Sequence, residues 1–448
     1  MKYIAKIIVQ ILILTMLIIL SACANRNSGA DSSNATVLYY LAEGETPDSV
    51  TEDGSLEDEP EPPDEPVSIP PTLPGRIAII TEDGGGWHSE QYLSAVSLVK
   101  SHGAENIVHF AGLLWRYADR HCDLRLTEFV RRIAEDFEIR VLIVNPVCYN
   151  TDRMVSILRE LRSDIFIIYI EHPTRFIGHD AFSNSAYLAD LVLNANTREV
   201  SRATPMQARR LGADTLIFFG TYPGDLIDAD AILEKRRMWR TESEKAGLNF
   251  VEVFSRYYES PQCGSHLAHY ISERVLPAIE EYGNNTVLVG ICAERLFWTF
   301  LSHGTIYPAP LSDFFLPSPH FIANNIHWLM PASEELSREE FFAKENLTRI
   351  IQETREVLEE KGLLGRVSTW PVSTRSMFAY AAVEYGIMWM NGEVPQEDIC
   401  IRALEQIMVD FIAQYAGKKD WGVAITPFSH DGIVHSNFLL VFLDFMIY

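Results

Sequence analysis

Aromatic rings and single charged or amide side chains cluster at the ends of apolar runs in this sequence, a pairing suited to holding a small polar molecule reversibly. Asp83 and Trp87 follow the run 76–81, Trp115 follows 105–110, Asn145 and Tyr149 follow 140–145, and Glu171 follows 165–170. Further along, Tyr222 follows 214–219, Tyr257 follows 249–254, and Glu294 follows 286–291. Rings give a ligand apolar faces to stack on, while carboxylates and amides fix its orientation. Bond chemistry has less support, because neither G-x-S-x-G nor H-E-x-x-H occurs in the chain. Gly84-Gly85-Gly86 is followed by Ser89 where a dinucleotide loop needs its third glycine, and no P-loop lysine comes after it. His266 and His269, at i and i+3, read by default as a partly exposed helix face. No metal, no cofactor and no catalytic residue is therefore expected.

The elements that position these residues are legible from Arg76 onward. Strand-length apolar runs such as RIAIIT (76–81), RVLIVN (140–145) and IFIIYI (165–170) alternate with helical patterns at 88–102, 124–137 and 151–162. A second series has strands at 214–219, 249–254 and 286–291, with helices at 198–211, 228–246, 265–282 and 293–303. Several helices stop at a glycine, among them Gly103, Gly247 and Gly283. Uninterrupted Val/Ile/Leu/Phe strands between helices require a parallel sheet covered on both faces. The expected class is α/β, with two doubly wound parallel-sheet lobes. In such sheets the carboxyl ends of the strands open onto the ligand crevice, which is why the residues named above are the site candidates. Met377, Tyr380, Ala381, Tyr385 and Trp389 recur at helical spacing and read as buried helix surface, and Asp431-Gly432 reads as a hairpin turn.

The chain is acidic, with 37 basic and 61 acidic residues and a formal net charge of -24. Twelve of the acids lie between Asp31 and Glu65, a stretch that also holds Pro60, Pro62 and Pro63 and is followed by Pro66. Like-charge repulsion and proline stiffness there describe an extended spacer. The acidity argues against nucleic acid as a partner, since phosphate contacts need Lys and Arg. Five cysteines follow Cys23, and none of them has C-x-x-C spacing.

At the N-terminus, Lys2 and Lys6 precede an aliphatic run over 7–20 that ends in Leu20-Ser21-Ala22-Cys23. This resembles the lipobox of bacterial lipoproteins. The resemblance implies a signal peptide over 1–22 and acylation of Cys23. It also implies a stalk over 23–74 and a mature protein anchored in the bilayer on the extracytoplasmic face of the cell membrane.

Asn145-Pro146 closing VLIVNP resembles the cleft turn of sugar-type periplasmic binding proteins. Arg236, in the segment EKRR opening a helix, resembles the site of that group's cleft-lining arginine, and STWPV at 368–372 resembles its last hinge crossing. The segments DLVLNAN (190–196), Ala208–Gly212, Arg236–Trp239, GRVSTWPVS (365–373) and Asn437–Met446 resemble a family of bacterial lipoproteins of unknown function with a type-1 periplasmic-binding-protein-like fold. The resemblance implies three crossings between lobes, near Asn196, Pro317 and Trp370. One lobe would comprise 76–196 with 317–369, and the other 197–316 with 370–448. It further implies a substrate-binding component of an ABC-type importer, whose partners are a small polar solute and a membrane permease. A solute-sensing partner of a membrane receptor is the second expectation, and an extracytoplasmic enzyme on the same scaffold the third.

Overall fold

The computed structural model describes residues 72–82, 90–113, 120–145, 151–170, 187–221, 229–255, 276–283, 285–290, 330–336, 338–341, 346–365, 367–416, 421–430 and 432–448. The chain divides into units 1–70 and 71–448, and every described residue lies in the second.

The first half of that unit repeats strand and helix. β1 (Arg76–Glu82), α1 (Glu90–His102), β2 (Ile107–Leu113), α2 (Arg120–Glu135), β3 (Ile139–Asn145), α3 (Thr151–Leu161) and β4 (Phe166–Ile170) are followed by β5 (Leu191–Ala195). The next series is α4 (Thr197–Arg210), β6 (Thr215–Thr221), α5 (Ala229–Ala246), β7 (Asn249–Ser255), α6 (Leu276–Tyr282) and β8 (Thr286–Gly290). Beyond it lie α7 (Ala332–Glu335), α8 (Arg338–Phe341), α9 (Leu347–Glu360), β9 (Ser368–Thr369), α10 (Thr374–Asn391) and α11 (Ile401–Ala416). β10 (Val423–His430), β11 (Ile433–Leu443) and β12 (Met446–Ile447) end the chain.

β6, β7 and β8 form a parallel three-stranded sheet in the order β7-β6-β8. The larger sheet has seven strands, in the order β10-β11-β5-β4-β3-β1-β2. All its pairings are parallel except that of edge strand β10 with β11. Its faces sort by the pleat: Ile77, Ile79, Val141 and Ile143 pack on one side, and Ala78, Ile80, Leu142 and Val144 on the other. Because both faces are covered, β3 and β4 are apolar along their length, as a parallel sheet requires.

α10 fills the first of these faces. Met377, Phe378, Ala381, Ala382 and Tyr385 are all fully buried, and Phe166 stacks 4.9 Å from Trp389. Gly386 lets the helix approach β3 closely, for a Cβ there would meet Val141 Cγ1 at 3.0 Å.

The sheet order departs from the expected lobe boundaries in two respects. Residues 370–448 were expected in the second lobe, yet α10, β10 and β11 complete the first sheet. β11 pairs in parallel with β5, Phe438 opposite Val192 and Val441 opposite Ala195, and so covers what would otherwise be an exposed hydrophobic edge. Nor do the described residues of 317–369 join that sheet as strands. Met330, Phe341, Ile350, Leu358 and Val367 instead form a separate small core with Tyr448, tied by the antiparallel pairing of β9 with β12.

Candidate functional site

Strand order in the larger sheet reverses at β1, whose chain neighbours β2 and β3 leave on opposite sides. Such a switch point opens a crevice at the carboxyl ends of the two flanking strands, here β1 and β3. Thr81 and Asn145 stand side by side there, paired in register and both fully buried. Counting by twos from Ile77, Ile107 and Val141 puts Thr81, His109 and Asn145 on one face, the face covered by α1 and α10. The two covering helices are joined near their amino-terminal ends: Ser94 donates to the Glu90 carbonyl at 2.7 Å and lies 2.9 Å from the Ser376 hydroxyl.

Within this cluster the hydrogen bonds are unevenly distributed. Thr81 Oγ1 is 2.7 Å from His109 Nε2, and the Tyr92 ring lies 5.2 Å from the imidazole. Burial holds His109 well below its ordinary value, to about 4, so the ring is neutral at pH 7. Asn145 differs from its neighbours, because neither its Oδ1 nor its Nδ2 has a hydrogen-bond partner although the residue is 0 % exposed. A buried amide without partners costs about 1–3 kcal/mol. One acceptor and two donors are thus held, unsatisfied, where the fold places ligands.

Asn145 is the one expected ligand residue that lands in this cluster. Asp83, Trp87, Trp115, Tyr149, Glu171, Tyr222, Tyr257 and Glu294 lie outside the described residues, as do Cys23 and Pro317. Arg236, expected as a cleft-lining arginine, is bonded to a strand of the smaller sheet: its Nε and Nη2 both donate to the Glu252 carboxylate on β7, at 2.5 and 2.7 Å. The bond from Arg236 holds the Glu252 carboxyl below the usual carboxylate range, and Arg240 adds a second contact at 2.7 Å. Strand alternation explains the difference, since Glu252 presents its carboxylate to α5 midway along β7 and captures the arginine of the covering helix.

Two expected crossings are placed. Asn196 caps α4, its side chain accepting from the Glu199 N–H at 3.0 Å, and its own N–H donates to the Val441 carbonyl at 2.7 Å. It therefore fastens the exit from β5 to β11. Trp370 is completely buried with its ring edge-on to Phe442 at 5.9 Å, which makes it part of the packing where the chain passes from β9 to α10.

Thr81, His109, Tyr92 and Ser376 were not foreseen. One signal was available, for His109 interrupts the otherwise apolar IVHFAGL of β2. Ser376 gave none, because it comes close to Ser94 only through packing between residues 282 positions apart.

Comparison with solved structures agrees with this architecture. A putative transcriptional regulator from Clostridium difficile 630 superposes with a TM-score of 0.67 at 16 % identity, over 84 % of this chain and 100 % of that chain. A sugar ABC transporter from Actinomyces odontolyticus ATCC 17982 gives a TM-score of 0.39 at 11 % identity, covering 71 % of this chain and 84 % of that one. A carbohydrate transporter from Acidothermus cellulolyticus 11B, in complex with myo-inositol, gives 0.37 at 8 % identity, covering 72 % and 89 %. The fold is type-1 periplasmic-binding-protein-like, an α/β architecture of mostly parallel sheets. No curated protein matches the sequence. The family described as "Protein of unknown function (DUF3798)" matches residues 77–321, more than half of the chain, and this protein belongs to that family.

Proposed function

We propose that this protein is a membrane-anchored, extracytoplasmic solute-binding lipoprotein, the capturing component of an ABC-type importer, and that it binds a small polar ligand at the switch point of its larger sheet. The observation that carries the reading is the Asn145 amide, fully buried and without hydrogen-bond partners at the carboxyl end of β3. Thr81 and the neutral His109 extend the same polar surface. Uncharged donors and acceptors on a buried face suit hydroxyl, carbonyl or amide groups of a ligand better than they suit an ion. The activity on this reading is binding, with no bond made or broken. The lipobox-like segment ending in Cys23 and the acidic, proline-rich stretch after it support an anchored, extracytoplasmic placement.

The test is a thermal-shift screen of the mature chain against sugars, polyols, nucleosides, amino acids and peptides. A ligand at about a hundred times its Kd adds about 2.7 kcal/mol of stability. Asn145→Leu removes the unsatisfied amide while keeping the same branched heavy-atom skeleton, so its own melting temperature should be no lower than the parent's. Its affinity for the ligand should fall at least about tenfold, the loss of one or two buried hydrogen bonds. Unchanged affinity in Asn145→Leu would move the site elsewhere.

A further inference from the structure

Two parallel helices bring their amino ends together over the switch point. Ser94 and Ser376 meet at 2.9 Å, and eight residues further along each helix His102 Nε2 lies 3.5 Å from Glu384 Oε1. α1 and α10 therefore run side by side in the same direction. α1 ends at the amino edge of the sheet, where the Asn106 carbonyl just beyond it accepts from the Ile77 N–H at 2.9 Å. Both helices thus run against β1 and β3 and start at the carboxyl edge.

Asn145 is level with that start. Gly386 of α10 packs on Val141 of β3. Asn145 lies about 13 Å beyond Val141 along the strand, a rise that an α-helix covers in about nine residues. Counting back from Gly386 leads to Met377, at the first turn of α10. Asn145, fully buried and without hydrogen-bond partners, faces that turn from the strand beneath it.

The turn itself is suited to an acceptor. Ser373 at the N-cap makes no side-chain cap bond, and the first turn holds Arg375 and no acidic residue. A helix start leaves N–H groups without intrahelical partners and carries partial positive charge, so it favours an anionic oxygen. One negative side chain stands close by: Glu90, in the first turn of α1, has Oε1 3.5 Å from the Ser376 hydroxyl. A lone anion would be repelled by that charge. A ligand carrying a cation beside its carboxylate is attracted by it instead.

We propose that the solute is a free α-amino acid, its carboxylate at the start of α10 and its ammonium toward Glu90. Asn145 serves both groups, Nδ2 donating to the carboxylate and Oδ1 accepting from the ammonium. A zwitterion has no net charge, which accords with the uncharged buried face of the site. The inference rests on the binding-protein reading above and narrows it to one class of solute.

The test is calorimetric titration of the mature chain with the common L-amino acids, each one that binds being compared with its N-acetyl and carboxamide derivatives. Both derivatives should bind at least about tenfold more weakly, since each removes one charge-assisted contact. Ser376→Asp places a carboxylate in the turn itself and should bind the amino acid at least about tenfold more weakly than Ser376→Asn, which has the same shape without the charge. Equal affinity for either derivative, or in the two Ser376 variants, overturns the assignment. A sugar or nucleoside that binds through Asn145 while no amino acid does overturns it and leaves the solute-binding reading standing. An amino acid whose affinity is unchanged in Asn145→Leu binds elsewhere, which also overturns it. Binding by no class of solute removes both readings.

Discussion

Two polar side chains on the strands that flank β1, half-buried His109 on β2 and buried Asn145 on β3, behave differently because only one has partners. His109 is bonded to Thr81 and flanked by Tyr92, while Asn145 has a full complement of empty donors and acceptors. Asn145 therefore registers in binding, and His109 in the pH dependence of stability. Burial holds the imidazole at about 4 against an ordinary 6.5. Between those values the unfolded chain takes up a proton that the folded chain refuses, so the contribution is complete above pH 6.5 and is lost as pH falls toward 4. At 1.36 kcal/mol per pH unit the loss is about 3 kcal/mol by pH 4. His109→Gln should shrink the difference in urea-unfolding stability between pH 7 and pH 4 by that amount. An unaltered pH dependence would mean the folded imidazole is readily protonated. Residue type was enough to nominate Asn145, since an amide closing an apolar run is conspicuous. It was not enough for Arg236, because its partner Glu252 stands on a strand 16 positions away and only the packing of α5 on β7 joins them.

Among the elements, the strands and helices of the first half follow their periodicities closely. The expected strand at 140–145 is β3 at Ile139–Asn145, and the expected helix at 151–162 is α3 at Thr151–Leu161. Glycine punctuation held as well: Gly103, Gly247 and Gly283 all have positive φ, where a side chain would be strained. The Asp431-Gly432 signal falls between β10 and β11, with Gly432 at φ 79. α10 follows its pattern too: Met377, Ala381, Tyr385 and Trp389, read as buried helix surface, are buried, and the helix packs against the sheet, α1 and α11. Its fit depends on Gly386. Gly386→Ala should raise intrinsic helix propensity by about 1 kcal/mol yet lower net stability by about the same amount, since the added methyl meets the stiff, fully buried Val141. A chemical-denaturation midpoint above the parent's would show that Val141 can yield.

For the whole molecule, the prediction concerns placement. Cys23→Ala should shift the protein from the membrane fraction to the soluble one in cell fractionation, because acyl chains bind at about 0.8 kcal/mol per buried methylene and nothing in the stalk replaces them. Retention in the membrane fraction would put the anchor in another segment. The amino-acid sequence by itself determined the α/β class, the succession of strands and helices, the glycine stops and the acidic N-terminal stretch, because each depends on neighbours within a few residues along the chain. The tertiary structure decided which strands share a sheet. β11 returned to β5, against the expected lobe boundary, because a parallel pairing satisfies an edge that lies about 240 positions earlier in sequence. It also decided that Asn145 would be buried beside Thr81 with its amide unsatisfied, and that Arg236 would pair with Glu252. Each of these depends on residues brought together through space by strand register and helix packing, quantities that no local pattern along the chain encodes.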